Sequence, residues 1–178
     1  MRKRFAAALL VLVLLPALSG CSGTFGNLGA SGNASETSYA YYCTFSIECS
    51  TILDNMGLCD EDKIEEVPED GWILHPKQVG FNDGETVFDI LLRVCMERKI
   101  HMEHSFTPLY GSEYIEGIHN LYEFDVGELS GWMYSVNGWF PNYGCSSYYP
   151  ENGDVIEWRY TCDLGYDVGG GYMGEAEA

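Results

Sequence analysis

Gly131-Trp132-Met133-Tyr134-Ser135-Val136-Asn137-Gly138-Trp139-Phe140 is the stretch that decides how this 178-residue chain folds. Trp132, Tyr134 and Val136 fall at every second position, so a strand through them presents one apolar face. Asn137-Gly138 follows directly. That pair is the strongest short-range signal for a two-residue type I′ turn, because both positions accept a positive φ. The expectation is a hairpin that turns at Asn137-Gly138 and returns through Trp139-Phe140. Downstream, a second Asn-Gly at 152–153 opens the stretch 154–160, where Ile156, Trp158 and Tyr160 share a face.

Upstream lies the clearest helix, expected at 86–98. Val87, Ile90, Leu91, Val94 and Cys95 form one stripe at i, i+3, i+4, i+7 and i+8. Thr86 with Asp89 three residues on is a variant of the capping box. Arg93, Arg98 and Lys99 suit the negative end of the helix dipole. Alternation and β-favouring residues place further strands at 41–49, 72–74, 78–81, 100–106, 114–118 and 121–124. Residues 50–56 read as a short helical turn and 60–71 as an acidic loop. One helix among several strands predicts a small α+β domain, the helix packed on a mixed β-sheet.

The ends of the chain read differently. Arg2-Lys3-Arg4 precedes an apolar run, 5–18, interrupted only by Pro16, too short to span a bilayer comfortably as a mature helix. Leu18-Ser19-Gly20-Cys21 resembles the lipobox of bacterial lipoproteins, whose cysteine takes a diacylglycerol. The resulting division is a lipoprotein signal peptide (1–20) and a flexible Gly/Ser/Asn-rich tether (21–38) starting at the lipidated Cys21. The folded domain (39–167) and a disordered tail (168–178) follow. The expected location is the cell membrane, lipid-anchored on the extracytoplasmic face; the other reading of the leader is an ordinary cleaved secretion signal.

Charge and cysteines fit that compartment. The net charge is −18, and removal of the three basic leader residues makes it more negative. Such a field repels phosphate backbones, which excludes nucleic acid as a partner. With Cys21 assigned to lipid, Cys43, Cys49, Cys59, Cys95, Cys145 and Cys162 remain as disulfide candidates. Their spacing does not choose among 15 pairings, and one or two free thiols stay open.

Catalytic signatures are missing. There is no nucleophile elbow, P-loop or dinucleotide fingerprint. His101-Met102-Glu103-His104 does not match zinc-hydrolase spacing, and residues three apart on a strand face opposite ways. The cluster Glu113, Glu116, Glu123 and Asp125 is of the kind expected by chance in so acidic a chain. The chain is therefore expected to have no catalytic residues, no metal ligands and no enzyme activity.

Three separated motifs carry a resemblance: 131–138 (Gly-Trp-x-Tyr-x-Val-Asn-Gly), then Pro141-Asn142-Tyr143-Gly144, then 153–158 (Gly-Asp-x-Ile-x-Trp). Together with Gly84-Glu85-Thr86-Val87-Phe88-Asp89, they make residues 79–161 resemble the bacterial family of transcobalamin-like C-terminal domains. That family occurs in surface proteins and lipoproteins, largely of Gram-positive bacteria. The resemblance implies a β-grasp-like fold and non-catalytic ligand binding, with cobalamin or a similar corrinoid as the ligand and no resident cofactor. In the animal cobalamin carriers the related domain closes over cobalamin held against a large helical barrel. This chain would cover one face only, or work with a transporter or a second binding subunit. Trp132, Tyr134, Asn137, Trp139, Phe140 and Tyr143 are the implied ligand-binding residues. The alternative is a surface interaction or adhesion module that contacts protein or cell-wall glycan.

Overall fold

A computed structural model describes residues 38–171. The leader, Cys21, almost all of the tether and the last seven residues lie outside the described residues. Seven strands and two α-helices follow one another as β1 (Tyr41–Glu48), α1 (Thr51–Asp54), β2 (Trp72–Phe81), α2 (Val87–Arg98), β3 (Met102–Thr107), β4 (Ser112–Ile118), β5 (Leu121–Tyr122), β6 (Gly131–Val136) and β7 (Val155–Thr161). Short 3-10 turns punctuate the loops. The fold class is α+β. No helix among the described residues is long and apolar enough to cross a membrane.

The single mixed sheet expected is instead two sheets. One has four strands in the order β2-β1-β7-β6, the other three in the order β3-β4-β5. The first is mixed, because β1 runs parallel to β7 while β2 and β6 are antiparallel to their neighbours. Its register aligns apolar side chains in rows across three strands. Ile47, Trp158 and Tyr134 form one row; Phe45, Ile156 and Val136 form the next. All six are buried.

Helix α2 closes this core. It sends Val87, Ile90, Leu91, Val94 and Cys95 into the same apolar cluster. The expected cap is present in both halves: Thr86 Oγ1 accepts from the Asp89 N–H at 3.2 Å, and Asp89 Oδ2 accepts from the Thr86 N–H at 2.8 Å. Lys99, at φ 59°, ends the helix in the left-handed conformation. Arg93 does more than meet the helix dipole. It reaches Glu85 at 3.2 Å and the Gly80 carbonyl at 2.7 Å, and stacks on the Tyr39 ring, tying α2 to the end of β2.

The opposite face of the first sheet is polar. Ser46 and Glu48 are buried there, and Glu48 pairs with Arg159 while accepting from Ser50 Oγ at 2.7 Å. Residues 163–171 cover this side, with Arg159 donating to the Val168 carbonyl at 2.9 Å. The expected tail thus begins inside the domain: Val168 is buried, in a 3-10 turn.

Two strand assignments also change. Residues 72–74 and 78–81 belong to one ten-residue strand that runs through Pro76. The register against β1 slips between Phe45 and Ile47, so His75-Pro76 forms a bulge on an edge strand, where the missing N–H costs no ladder bond. Conversely, Trp139-Phe140 is no strand. The type I′ turn forms as expected, with φ of 55° at Asn137 and 77° at Gly138 and a Val136–Trp139 bridge. Pro141 then has no N–H with which to extend the ladder.

The six described cysteines are all free thiols in the structure, in contrast to the staples expected. Burial pushes Cys43 and Cys162 up to about 11, and Cys49, Cys95 and Cys145 up to about 12. The core holds them as small apolar side chains.

Candidate ligand-binding site

The aromatic segment does two jobs, and polar tips separate them. Trp132 donates from Nε1 to the Leu121 carbonyl at 2.8 Å, and the Tyr160 hydroxyl donates to the Tyr122 carbonyl at 2.6 Å. These two rings meet edge to face at 5.2 Å. They bind the first sheet to β5 of the second. Tyr134, also buried, donates its hydroxyl to the Tyr143 carbonyl at 2.8 Å and so fixes the loop 141–144. Asn137 spends both ends of its amide locally: Nδ2 donates to Asp154 Oδ1 at 2.8 Å, and Oδ1 accepts from the Val155 N–H at 2.9 Å. Tyr134 and Asn137, expected to touch a ligand, have internal partners instead.

Loop 141–144 crosses close to β4 because residue 144 is glycine; a Cβ there would meet Ser112 Oγ at 1.8 Å. Ser146 Oγ then lies 2.8 Å from Ser112 Oγ and accepts from the Glu113 N–H at 3.0 Å. The crossing places Tyr143 outward. Its ring stacks on Tyr148 (6.0 Å, 13°) and meets Trp139 edge-on at 6.2 Å. Trp139 and Tyr143 are both nearly half exposed.

Two hollows open beside this loop, and a third adjoins them. The first, about 310 Å³, lies between Tyr110, Tyr114, Pro141 and Tyr143, with Ser112 and Glu113 at its base. A second, about 520 Å³, is lined by Tyr110, Met133, Phe140, Pro141, Asn142 and Leu164. The third, about 330 Å³, includes Tyr114, Glu123, Phe124, Glu128, Trp132 and Leu164. Each shares residues with the next: Tyr110 and Pro141 join the first to the second, Met133 and Leu164 the second to the third, and Tyr114 the third to the first. They form one branched trough. Of the residues singled out in the sequence, Tyr143, Phe140 and Trp132 line it. Trp139 flanks it through Tyr143, and Tyr134 and Asn137 sit behind it.

Several lining residues escape sequence reasoning. Tyr110, at the tip between β3 and β4, is 77% exposed and lines two of the hollows; its neighbour Leu109, 83% exposed, stands beside them without lining any. One signal could have found them: Pro108-Leu109-Tyr110-Gly111 has turn residues flanking two large apolar side chains, where turns ordinarily carry small polar ones. The electrostatics are one-sided. Glu113, Glu123 and Glu128 line the trough, and among the described residues no Lys, Arg or His does. The Tyr114 hydroxyl donates to Glu123. Burial, followed by that bond, raises Tyr114 well above the usual phenol range, so it stays a donor. His104 stands outside the trough with Nδ1 2.8 Å from Glu113 Oε2, and His101 lies near Glu103 rather than beside His104. Among the described residues no three His, Cys, Asp or Glu side chains group as a metal site.

The fold and the trough together define a small α+β domain with an open, aromatic-rimmed cleft. The family model described as a domain of unknown function, DUF4430, matches residues 84–162, less than half of the chain. None of the curated proteins matches it. Among solved structures, haptocorrin in complex with Cbi is similar over 77% of this chain, at 19% identity and a TM-score of 0.51. The match covers only 28% of that protein's length. A putative metal binding protein from Ruminococcus gnavus ATCC 29149 is similar over 68% of this chain and 96% of its own, at 12% identity and a TM-score of 0.40. The chain thus carries a transcobalamin-like fold.

Proposed function

We propose that this chain is a lipid-anchored extracytoplasmic binding protein that captures a small, partly flat and apolar nutrient, a corrinoid being the specific candidate. The observation that carries the reading is the branched trough rimmed by Tyr110, Tyr114, Tyr143 and Phe140. Its hollows fall at or above the lower bound of small-molecule sites, roughly 300 Å³. Rigid rings lose little side-chain entropy on contact, so they suit a platform for a planar ligand. The solved haptocorrin complex, built on a related fold, contains Cbi and supports a corrinoid in particular. An open trough grips one face of so large a ligand, and a transporter or second binding subunit would take the other.

Calorimetry of the full chain in detergent against a corrinoid panel tests this reading. At least one corrinoid is expected to bind, and Tyr143→Ala to weaken it about tenfold, in line with the loss of one ring contact. No binding across the panel removes the corrinoid. Recovery of cell-wall glycan or envelope protein on the same trough would favour the adhesion reading instead.

A further inference from the structure

We infer that the trough selects organic cations: its ligand carries a positive charge on an apolar body. The inference rests on the small-molecule reading above and narrows its ligand class.

The three hollows differ in charge although they share walls. The second, the largest, has no charged residue; Met133, Phe140, Pro141 and Leu164 line it together with the polar Asn142 and with Gly170. The third adds Glu123 and Glu128 to Phe124, Tyr114 and Trp132. Ring faces carry the negative end of the aromatic quadrupole, and a cation held over them beside a carboxylate is attracted by both. Glu128 is exposed and has no hydrogen-bond or ion-pair partner among the described residues, so its charge is uncompensated at the rim. Glu113, whose carboxylate also meets His104, stands in the first hollow beside Tyr110, Tyr114 and Tyr143. An anionic ligand meets three carboxylates and no lining cation, within a chain of net charge −18. A neutral ligand uses the rings and leaves Glu128 without a partner, while Glu123 keeps Tyr114 and Glu113 keeps His104. An amphipathic cation uses everything present: its apolar body lies along the rings and aliphatic side chains of the trough while its head lies toward Glu123 and Glu128.

The test compares choline with its neutral isostere 3,3-dimethyl-1-butanol, alike in shape and different in charge, by titration calorimetry on the full chain. Choline is expected to bind at least tenfold more tightly at low salt, and the preference to shrink at high salt, since rim charges are screened. Glu128→Gln, an exposed change, is expected to lower choline affinity about threefold with an unaltered denaturation midpoint. Equal binding of the two probes, or binding of neither, overturns the inference. A corrinoid bound by the same preparation would then leave the broader reading standing, whereas silence toward every probe would remove both.

Discussion

Glu48 is the residue on which most depends for its size. It is buried on the polar face of the first sheet, paired with Arg159 and bonded to Ser50, and Arg159 in turn holds Val168 of the closing segment. Breaking a largely buried pair from one side leaves the other charge without compensation, at a cost of about 3 kcal/mol. Glu48→Ala is therefore expected to lower the unfolding free energy by about that much in urea titration, and a loss below about 1 kcal/mol would contradict the pairing. Sequence alone could not have found this contact, because its partners lie 111 residues apart and each reads as an ordinary strand charge. The same holds for the buried aromatics. That Trp132, Trp158 and Tyr160 face inward follows from alternation. That Trp132 and Tyr160 donate to the carbonyls of Leu121 and Tyr122 does not, since a donor's partner leaves no trace in a local pattern.

Among the elements, α2 was the most legible. Its stripe, its cap and its end were all readable because each is set by residues within one or two turns of the chain. Thr86→Ala removes the Oγ1 acceptor and half of the capping box, and is expected to cost about 1 kcal/mol by thermal or urea denaturation, whereas Thr86→Ser should cost much less. The hairpin was legible only as far as its turn. Asn137-Gly138 takes the positive φ angles its chemistry favours. Whether the return arm pairs depends on Pro141 and on the competing pull of Tyr134 on the loop carbonyl of Tyr143. Strand β2 erred in the other direction. Pro76 reads as a break, yet an edge strand can bulge around it, and edge position is a property of topology. The trough suffers most from this limit. Tyr110 from the β3–β4 tip and Leu164 are part of its wall, and they reach it only once both sheets are assembled.

At the scale of the whole molecule, five thiols, four of them buried and Cys162 half-buried, make the fold sensitive to alkali. Each is raised above its ordinary value of 9.0, so the folded chain keeps protons that the unfolded chain gives up. Their stabilising contribution is complete below pH 9, then falls through the folded values of about 11 to 12. The slope is about 1.4 kcal/mol per pH unit for each thiol titrating only in the unfolded state. Urea midpoints measured at pH 7 and 8 are expected to agree closely, with a decline already visible at pH 9 and steep by pH 10.5. Disulfides formed in an oxidising compartment would flatten that decline, and added reductant would restore it. The division into two sheets was the least legible feature at this scale, because β4 and β5 have the same alternation whether or not they join β6. The His75-Pro76 bulge has a last consequence beyond the single molecule. Where copies of a sheet domain crowd together, an open row of amides invites neighbouring copies to zip into fibrils. A kinked margin lacking one amide and carrying the Lys77 charge denies them that template, so crowding leaves each copy separate.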